Sequence, residues 1–339
     1  MQVRLGAGEL LDERGHLAQA GWATSEVRRY RRAAVKASRW RIKEWDYYCI
    51  LGQRYGLALT VADNGYMGLL ACSWMDFETR RAFNESVMLP FPMGRMGLPE
   101  SADSGDIVQN HSKMSLAFHH APGGRRLTID CPGYGKGRGL KGEIVLEQPP
   151  MDRMVIATPF SKAPRAFYYN QKINCLPASG EIAIGGETFA FSAGTDFAVL
   201  DWGRGVWTYD NTWYWGSASG LVDGAPFGFN IGYGFGDTSA ASENMVFWKG
   251  KAHKLDQVTF HIPPQGYDAA AWRFTSNDGR FEMTFEPIVD RAATFDLKLL
   301  RSVQHQVFGR FTGHVVLDEG SCLEVRDLMG FAEEVQNRW

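Results

Sequence analysis

The chain has 339 residues, 45% of them hydrophobic, and its 36 Lys and Arg against 38 Asp and Glu leave a formal net charge of −2. This length suits one large or two ordinary domains with a sizeable core. Because nucleic-acid binding requires a broad cationic surface, the charge balance argues against nucleic acid as a partner.

Membrane helices and disulfides are not expected either. A membrane helix needs about 18 consecutive apolar residues, and no stretch of this sequence is nearly that long. Residues 1–15 lack the apolar core of a signal peptide. The five cysteines are widely spaced, odd in number and without a C-x-x-C pair, which is what a reducing compartment permits. We therefore expect a cytoplasmic protein with no integral membrane segment.

The first forty residues predict an opening segment with one short helix over residues 25–37, capped at Ser25. A basic run from Arg28 to Lys43 lies here, and we interpret it as solvated or paired with nearby carboxylates, as most charge runs are. From Trp40 onward, strand patterns separated by tight turns predict a β-meander.

Residues 84–106 contain three prolines and three glycines, which predicts a long loop of the kind that often serves as a lid or binding loop. Strand patterns resume over residues 113–200 and again over residues 245–327, separated by glycine or Asp-Gly. Such short, regularly spaced strands are typical of antiparallel barrels or sandwiches. We expect an all-β chain with little helix, divided near Gly236 into domains at 1–236 and 237–339.

Tryptophan, glycine and charge are densest over residues 201–244, where Asp223-Gly224 provides the two positive-φ positions of a type I′ hairpin turn. We expect this hairpin to close the first domain. Its register sets these pairs on one face: Ser217 with Asn230, Trp215 with Gly232, and Trp213 with Gly234. Indoles above glycines leave room for a ligand. The alternative is that the indoles only cover weak strand positions.

Six long strings resemble the domain of unknown function 2804 family. They are RIKEWDYY (41–48), PPMDRMVIATPF (149–160), YYNQKIN (168–174), DWGRGVWTYDNTWYWGSASG (201–220), GFNIGYGFGDTSAASEN (228–244) and GFAEEVQNRW (330–339). The resemblance spans essentially the whole chain and implies no particular activity.

A more distant resemblance begins at Asp-Trp-Gly (201–203), which precedes a Trp-x-Trp strand. This pattern is similar to those of hydroxyneurosporene synthase (carotenoid hydratase) and AttH-like proteins, whose relatives include fungal Diels–Alder cyclases. It implies two lipocalin-like antiparallel β-barrel or sandwich domains with a ligand cavity. Trp202 stands where those proteins often have His or Glu, so the resemblance implies the fold and not the substrate.

Polar residues gather at one end of the hairpin, where a purely structural hairpin would not need them. Asp201 and Glu243 are the candidate acid and base, because a carboxylic acid can deliver a proton while indole faces stabilise positive charge. Arg204 is the candidate for orienting an anion, although a salt bridge between Asp201 and Arg204 that only fixes the loop is nearly as good an interpretation. The other residues expected to line the substrate pocket are Trp213, Trp215, Asn230, Tyr169, Asn170, Tyr209, Trp202, Asp237 and Asn244.

These residues predict a cofactor-independent enzyme that uses acid/base catalysis for hydration, isomerisation or elimination on a small organic ligand. Two carboxylates beside tryptophan also suit a glycoside-directed hydrolase or lyase. The alternative from another class is a non-catalytic carrier, so the ligand could be a sugar or a terpenoid. The eight histidines are scattered, and we expect no metal site.

Overall fold

The computed structural model describes residues 2–297 and 300–338, which form an almost entirely antiparallel β protein. The all-β prediction is therefore confirmed. Within these two ranges, helical structure is limited to 3-10 turns at Arg32–Ala34 and Arg39–Arg41 and to one four-residue turn, Tyr134–Gly137. No helix within the described ranges has the length and apolar character needed to cross a bilayer.

The first sheet has thirteen strands, and a small parallel pair, β1 (Gly8–Glu9) with β3 (Arg28–Arg29), lies apart from it. The thirteen are β2 (Gly21–Ala23), β4 (Ile42–Leu51), β5 (Tyr55–Asp63), β6 (Met67–Asp76), β7 (Arg81–Pro90), β8 (Ile107–His111), β9 (Met114–Ala121), β10 (Gly124–Cys131), β11 (Leu140–Glu147), β12 (Met154–Pro159), β13 (Phe167–Ile184), β14 (Glu187–Phe191) and β15 (Phe197–Val206). Its main order is β7-β6-β5-β4-β15-β13-β11-β10-β9-β8.

The second sheet has nine strands in the order β19-β18-β17-β16-β24-β23-β22-β21-β20. They are β16 (Asp210–Val222), β17 (Ala225–Tyr233), β18 (Met245–Trp248), β19 (Lys251–Lys254), β20 (Val258–His261), β21 (Trp272–Ser276), β22 (Phe281–Leu297), β23 (Leu300–Val316) and β24 (Cys322–Arg338). Each sheet curls around its own apolar core, as a two-domain lipocalin-like fold requires.

A third apolar cluster joins the two sheets. Tyr47 and Met75 of the first sheet belong to it together with Phe308 and Phe331 of the second. The string RIKEWDYY explains how one strand serves both sides, because successive side chains of β4 point to opposite faces. Tyr48 thus belongs to the core of the first sheet, while its neighbour Tyr47 faces the second sheet.

The helix predicted over residues 25–37 is wrong. The segment contains the short strand Arg28–Arg29 and the 3-10 turn Arg32–Ala34. Around the strand its main chain pairs with the first ten residues: the N–H of Gly8 donates to the carbonyl of Val27, and that of Leu10 to the carbonyl of Arg29. Helix propensity is a weak prior that such distant pairing overrides. The predicted loop also begins later than expected, because β7 continues to Pro90.

The hairpin forms with the expected register. Asp223 and Gly224 both have positive φ, 48° and 73°. Trp215 lies opposite Gly232, as predicted, and the ladder ends at Tyr214–Tyr233, one pair before the expected partners Trp213 and Gly234.

The hairpin lies in the second sheet and does not close the first. The chain passes from one sheet to the other between Val206, where β15 ends, and Asp210, where β16 begins. The chain therefore changes sheets before Gly236, the position at which we expected the two domains to divide. The reason is that β16 pairs along its length with the last strand, β24, a contact far away in sequence.

Gly224 and Gly133 provide a matched test of this turn. An added Cβ meets no atom within 4 Å at either position, but only Gly224 has a positive φ, 73°. We expect Gly224→Ala to lower the free energy of unfolding by about 1–2 kcal/mol, because L-residues are strained in the left-handed region. Gly133→Ala should change it by less than about 0.5 kcal/mol. Urea unfolding of both variants measures the difference, and equal values would contradict this account of the turn.

Candidate functional site

The cavity lies between the two sheets and has a volume of about 510 Å³. Small-molecule sites typically measure about 300–1,000 Å³. The first sheet contributes walls from β4 to β7, β13 and β15, and the second from β16 and β22 to β24. The wall is mainly apolar, with several carboxylates and cations set into it.

One end of the cavity is aromatic. Trp207 packs edge-on against Phe235 and Trp45, with ring centroids 4.8 and 5.2 Å apart, and Phe235 packs in the same way against Tyr168 and Trp213. Gly203 makes this packing possible, because a Cβ there would lie 1.9 Å from the Trp45 ring. The Asp-Trp-Gly motif therefore supplies an acid at its first position and space for an indole at its third.

Asp201 lies in the cavity wall as half of an ion pair. Its carboxylate is 2.8 Å from Lys172 Nζ, and Asn170 Nδ2 donates to it at 2.6 Å. Lys172 is 3% exposed, and its ammonium lies 3.6 Å from the centre of the Trp215 ring. The lysine thus contacts a carboxylate and an aromatic face together, and both stabilise its charge.

Glu333 of β24 is the second buried acid of the cavity. Trp213 Nε1 donates to one of its oxygens at 3.0 Å, and Gln306 Nε2 donates to the other at 2.8 Å. Tyr47 of the first sheet donates to Gln306 Oε1, so the chain of hydrogen bonds crosses from one sheet to the other. Burial raises the pKa of Glu333 to about 7, against the lowering effects of the Trp213 hydrogen bond and the Lys172 charge.

Glu243 also lines the cavity. Burial raises the pKa of its carboxyl, and the charge of Lys172 and a hydrogen bond from Asn230 act in the opposite direction. Asn230 is fully buried behind Trp215: its Oδ1 accepts from Trp215 Nε1 at 2.7 Å, and its Nδ2 donates to the Glu243 carbonyl at 2.8 Å. Asn230 therefore positions both the indole and the acid.

The glycines of the hairpin do not leave empty space, contrary to expectation. A Cβ at Gly232 would lie 3.0 Å from the carboxyl carbon of Glu243, and one at Gly228 would lie 2.7 Å from Cys175 Sγ. The missing side chains are thus replaced by other groups, and the free volume lies between the sheets instead.

Arg204 does not fit the role of an anion-orienting residue. It is fully buried on the opposite face of β15 from Asp201, where it binds Asp46 at 2.9 Å and the carbonyls of Trp45 and Pro99. The salt bridge between Asp201 and Arg204 is also wrong, because strand alternation turns the two side chains to opposite faces. Asp201 pairs with Lys172 instead.

Trp202 and Tyr169 also face the core of the first sheet, where their rings meet edge-on at 5.7 Å, and Tyr169 donates to the carbonyl of Arg28. Asn244 accepts a hydrogen bond from the Gly232 N–H and donates one to the Asp256 carbonyl, and Asp237 accepts one from the Ser239 N–H. None of these four residues lines the cavity. Tyr209 is half exposed.

Sequence reasoning missed several residues that the structure brings into the cavity. Lys172 and Glu333 lie in the strings YYNQKIN (168–174) and GFAEEVQNRW (330–339), and neither was assigned a role from the sequence. Period-two alternation within RIKEWDYY and GFAEEVQNRW could have placed Trp45, Tyr47 and Glu333 on one face of their strands. No periodic pattern in the sequence indicated that the cavity faces of β4 and β24 would line the same cavity.

Comparisons with known proteins agree with this architecture. The model of a family described as Domain of unknown function (DUF2804) matches residues 2–339. No curated protein matches the chain. Three solved structures share the fold, as the distant resemblance implied, and at 9–15% identity the likeness shows the fold alone.

The first of these structures is CghA with Sch210972. It is 10% identical, the match covers 88% of each chain, and the TM-score is 0.52. The second is a protein from Nitrosomonas europaea described as AttH. It is 15% identical, the match covers 87% of this chain and 92% of that chain, and the TM-score is 0.52. The third is kievitone hydratase from Nectria haematococca, at 9% identity, with 87% and 88% covered and a TM-score of 0.51.

The raised pKa of Glu333 predicts how stability depends on pH. Its folded-state pKa of about 7 exceeds the ordinary value of 4.5, so the folded chain keeps a proton that the unfolded chain has lost. Stability from this group is full below pH about 4.5 and is lost as the pH rises to about 7. Relative to wild type, Glu333→Gln should gain up to about 3 kcal/mol across this range. Urea unfolding at stepped pH tests this, and a constant difference would contradict it.

Proposed function

Because this chain belongs to the domain of unknown function 2804 family, its activity has to be inferred from its own cavity, and we propose that it is a small-molecule enzyme using acid/base catalysis. The reaction class is hydration, isomerisation or elimination. One observation carries the proposal: Glu333, with a pKa of about 7, faces the same aromatic-lined cavity as the Asp201–Lys172 ion pair.

The two acids are suited to different roles. A carboxyl whose pKa lies near the working pH can both donate and accept a proton, which suits Glu333 as the general acid. Asp201 is held beside the ammonium of Lys172, which suits a carboxylate that accepts a proton. Glu243, whose pKa is also raised, is the third proton-transfer candidate.

The aromatic end of the cavity suits the charge that such reactions develop. Protonation of a double bond or a leaving group produces positive charge, which the faces of Trp45, Trp207 and Trp213 would stabilise by about 0.5–2 kcal/mol each. Trp207 and Phe235 are buried at this end, and an apolar surrounding strengthens electrostatic interactions with the nearby carboxylates. A reacting centre is therefore best placed between these indoles and Glu333.

The shared fold supports a small organic ligand. Among the proteins of the same fold, CghA is seen with Sch210972, and one protein from Nectria haematococca is a kievitone hydratase. Proteins of one fold can act on different substrates, so we take from these structures only the class of ligand, a small organic molecule.

A carrier that binds an apolar molecule without altering it is the second candidate, because most of the cavity wall is apolar. The same wall makes the glycoside-directed interpretation weaker, since a sugar presents many hydroxyl groups that would need partners. Against the carrier stand the buried carboxylates, because each charged group costs free energy to bury and a carrier of apolar molecules gains nothing from them.

Incubation of the protein with metabolite extracts tests the proposal. We expect wild-type protein to deplete one small organic compound and to produce another that differs by water or is its isomer. Asp201→Asn and Glu333→Gln should each slow depletion by about 10²–10⁴-fold, the usual contribution of a proton-transfer group. Mass spectrometry over time gives the rates.

Glu334→Gln is the matched control, because Glu334 is the next residue in β24 and accepts instead from Tyr267 on the other face. It should deplete the compound at the wild-type rate. If Asp201→Asn is as fast as wild type, Asp201 has no part in the mechanism. If wild-type protein retains a compound that is recovered unchanged, the chain is a carrier.

A further inference from the structure

An exposed patch of mixed character borders the cavity, and we call it the mouth patch: Trp40, Met88 and Phe91 with Arg39, Arg41 and Arg95. Its three apolar side chains are 52%, 60% and 52% exposed. Trp40 and Phe91 pack against each other with ring centroids 5.5 Å apart. Large apolar side chains grouped in this way on a surface mark a place of interaction.

The mouth patch is continuous with the cavity. Met88 lines the cavity itself, on the edge strand β7. The N–H of Phe91 donates to the carbonyl of Tyr66, another lining residue, at 3.0 Å. The main chain of Trp40 lies against Gly65, where an added Cβ would be 2.7 Å from the Trp40 carbonyl oxygen. A ligand leaving the cavity over Met88 would therefore meet the mouth patch.

The arginines of the mouth patch keep their charge available. Arg39 donates to the carbonyl of Met93, Arg41 to that of Trp207 and Arg95 to that of Phe91. These partners are neutral main-chain oxygens, which orient the guanidinium groups without neutralising them. The patch thus presents a positive surface, whereas Arg29 and Arg31, earlier in the same basic run, are paired with Glu9.

We propose that the mouth patch docks on an anionic membrane surface and brings the mouth of the cavity to the boundary between lipid and water. Tryptophan and phenylalanine are suited to that boundary, and arginine is attracted to anionic head groups. Three exposed apolar side chains are too few for a stable protein interface, which buries about 800 Å² per partner. The proposal rests on the cavity's position and holds whether or not the protein is an enzyme.

Co-sedimentation of the whole protein with vesicles tests the docking. The probe is phosphatidylcholine vesicles in which about a third of the lipid is phosphatidylserine, compared with phosphatidylcholine alone. We expect binding to the anionic vesicles that weakens as salt is raised, since surface charges are screened. Binding to the neutral vesicles should be at least about tenfold weaker.

Two variants divide the contributions. Replacing Arg39, Arg41 and Arg95 together by Gln should weaken binding by about 100-fold, at about fivefold for each charge. Trp40→Ser with Phe91→Ser should weaken it by about tenfold or more. The controls are Val108→Ser with Leu221→Ser, two exposed apolar residues outside the patch, and Arg326→Gln, an exposed arginine outside it.

The controls should bind as wild type does, and thermal unfolding confirms that each variant is folded. Wild-type protein that leaves both kinds of vesicle in the supernatant would overturn the proposal and make a protein the better occupant of the patch. Equal binding by the patch variants and the controls would overturn it as well.

Discussion

Two buried ion pairs lie on opposite faces of the first sheet, and strand β15 contributes one partner to each of them. Arg204 and Asp46 face the core of the first sheet, while Lys172 and Asp201 face the cavity. Removing one partner of a buried pair costs about 3–5 kcal/mol, because a charge is left without compensation. Strands β4, β13 and β15 can therefore be the wall of a core and the wall of a polar site at once.

Packing of the sheets also controls the chemistry of the cavity. Glu333 belongs to the second sheet, but its hydrogen-bond chain through Gln306 ends at Tyr47 of the first. Its pKa is raised because the sheets exclude water from it, so the proton affinity of this acid is a consequence of how the sheets meet. Phe331 belongs to the joining cluster and lies two residues before Glu333 in β24, so a change there would alter the packing around the acid.

Local rules predicted a large part of the fold. The Asp223-Gly224 turn set the hairpin register correctly, because both residues had to adopt positive φ and the side-chain period of a strand is two. Asp201, Glu243, Trp213 and Trp215, which the sequence groups around the hairpin, all line the cavity between the sheets. The errors came from pairings between separate segments: no α-helix forms over residues 25–37, because Arg28–Arg29 pair with Gly8–Glu9.

By itself, the sequence determined the all-β class, most of the strands and the face of the strand on which each side chain lies, since these follow from the local alternation of the chain. The tertiary structure alone decided which faces meet. It paired Asp201 with Lys172 and not with Arg204, placed Glu333 beside Trp213, and set the cavity between the sheets. The physical reason is that these contacts join strands whose sequence separation carries no periodic signal, so only the closure of the two sheets brings them together.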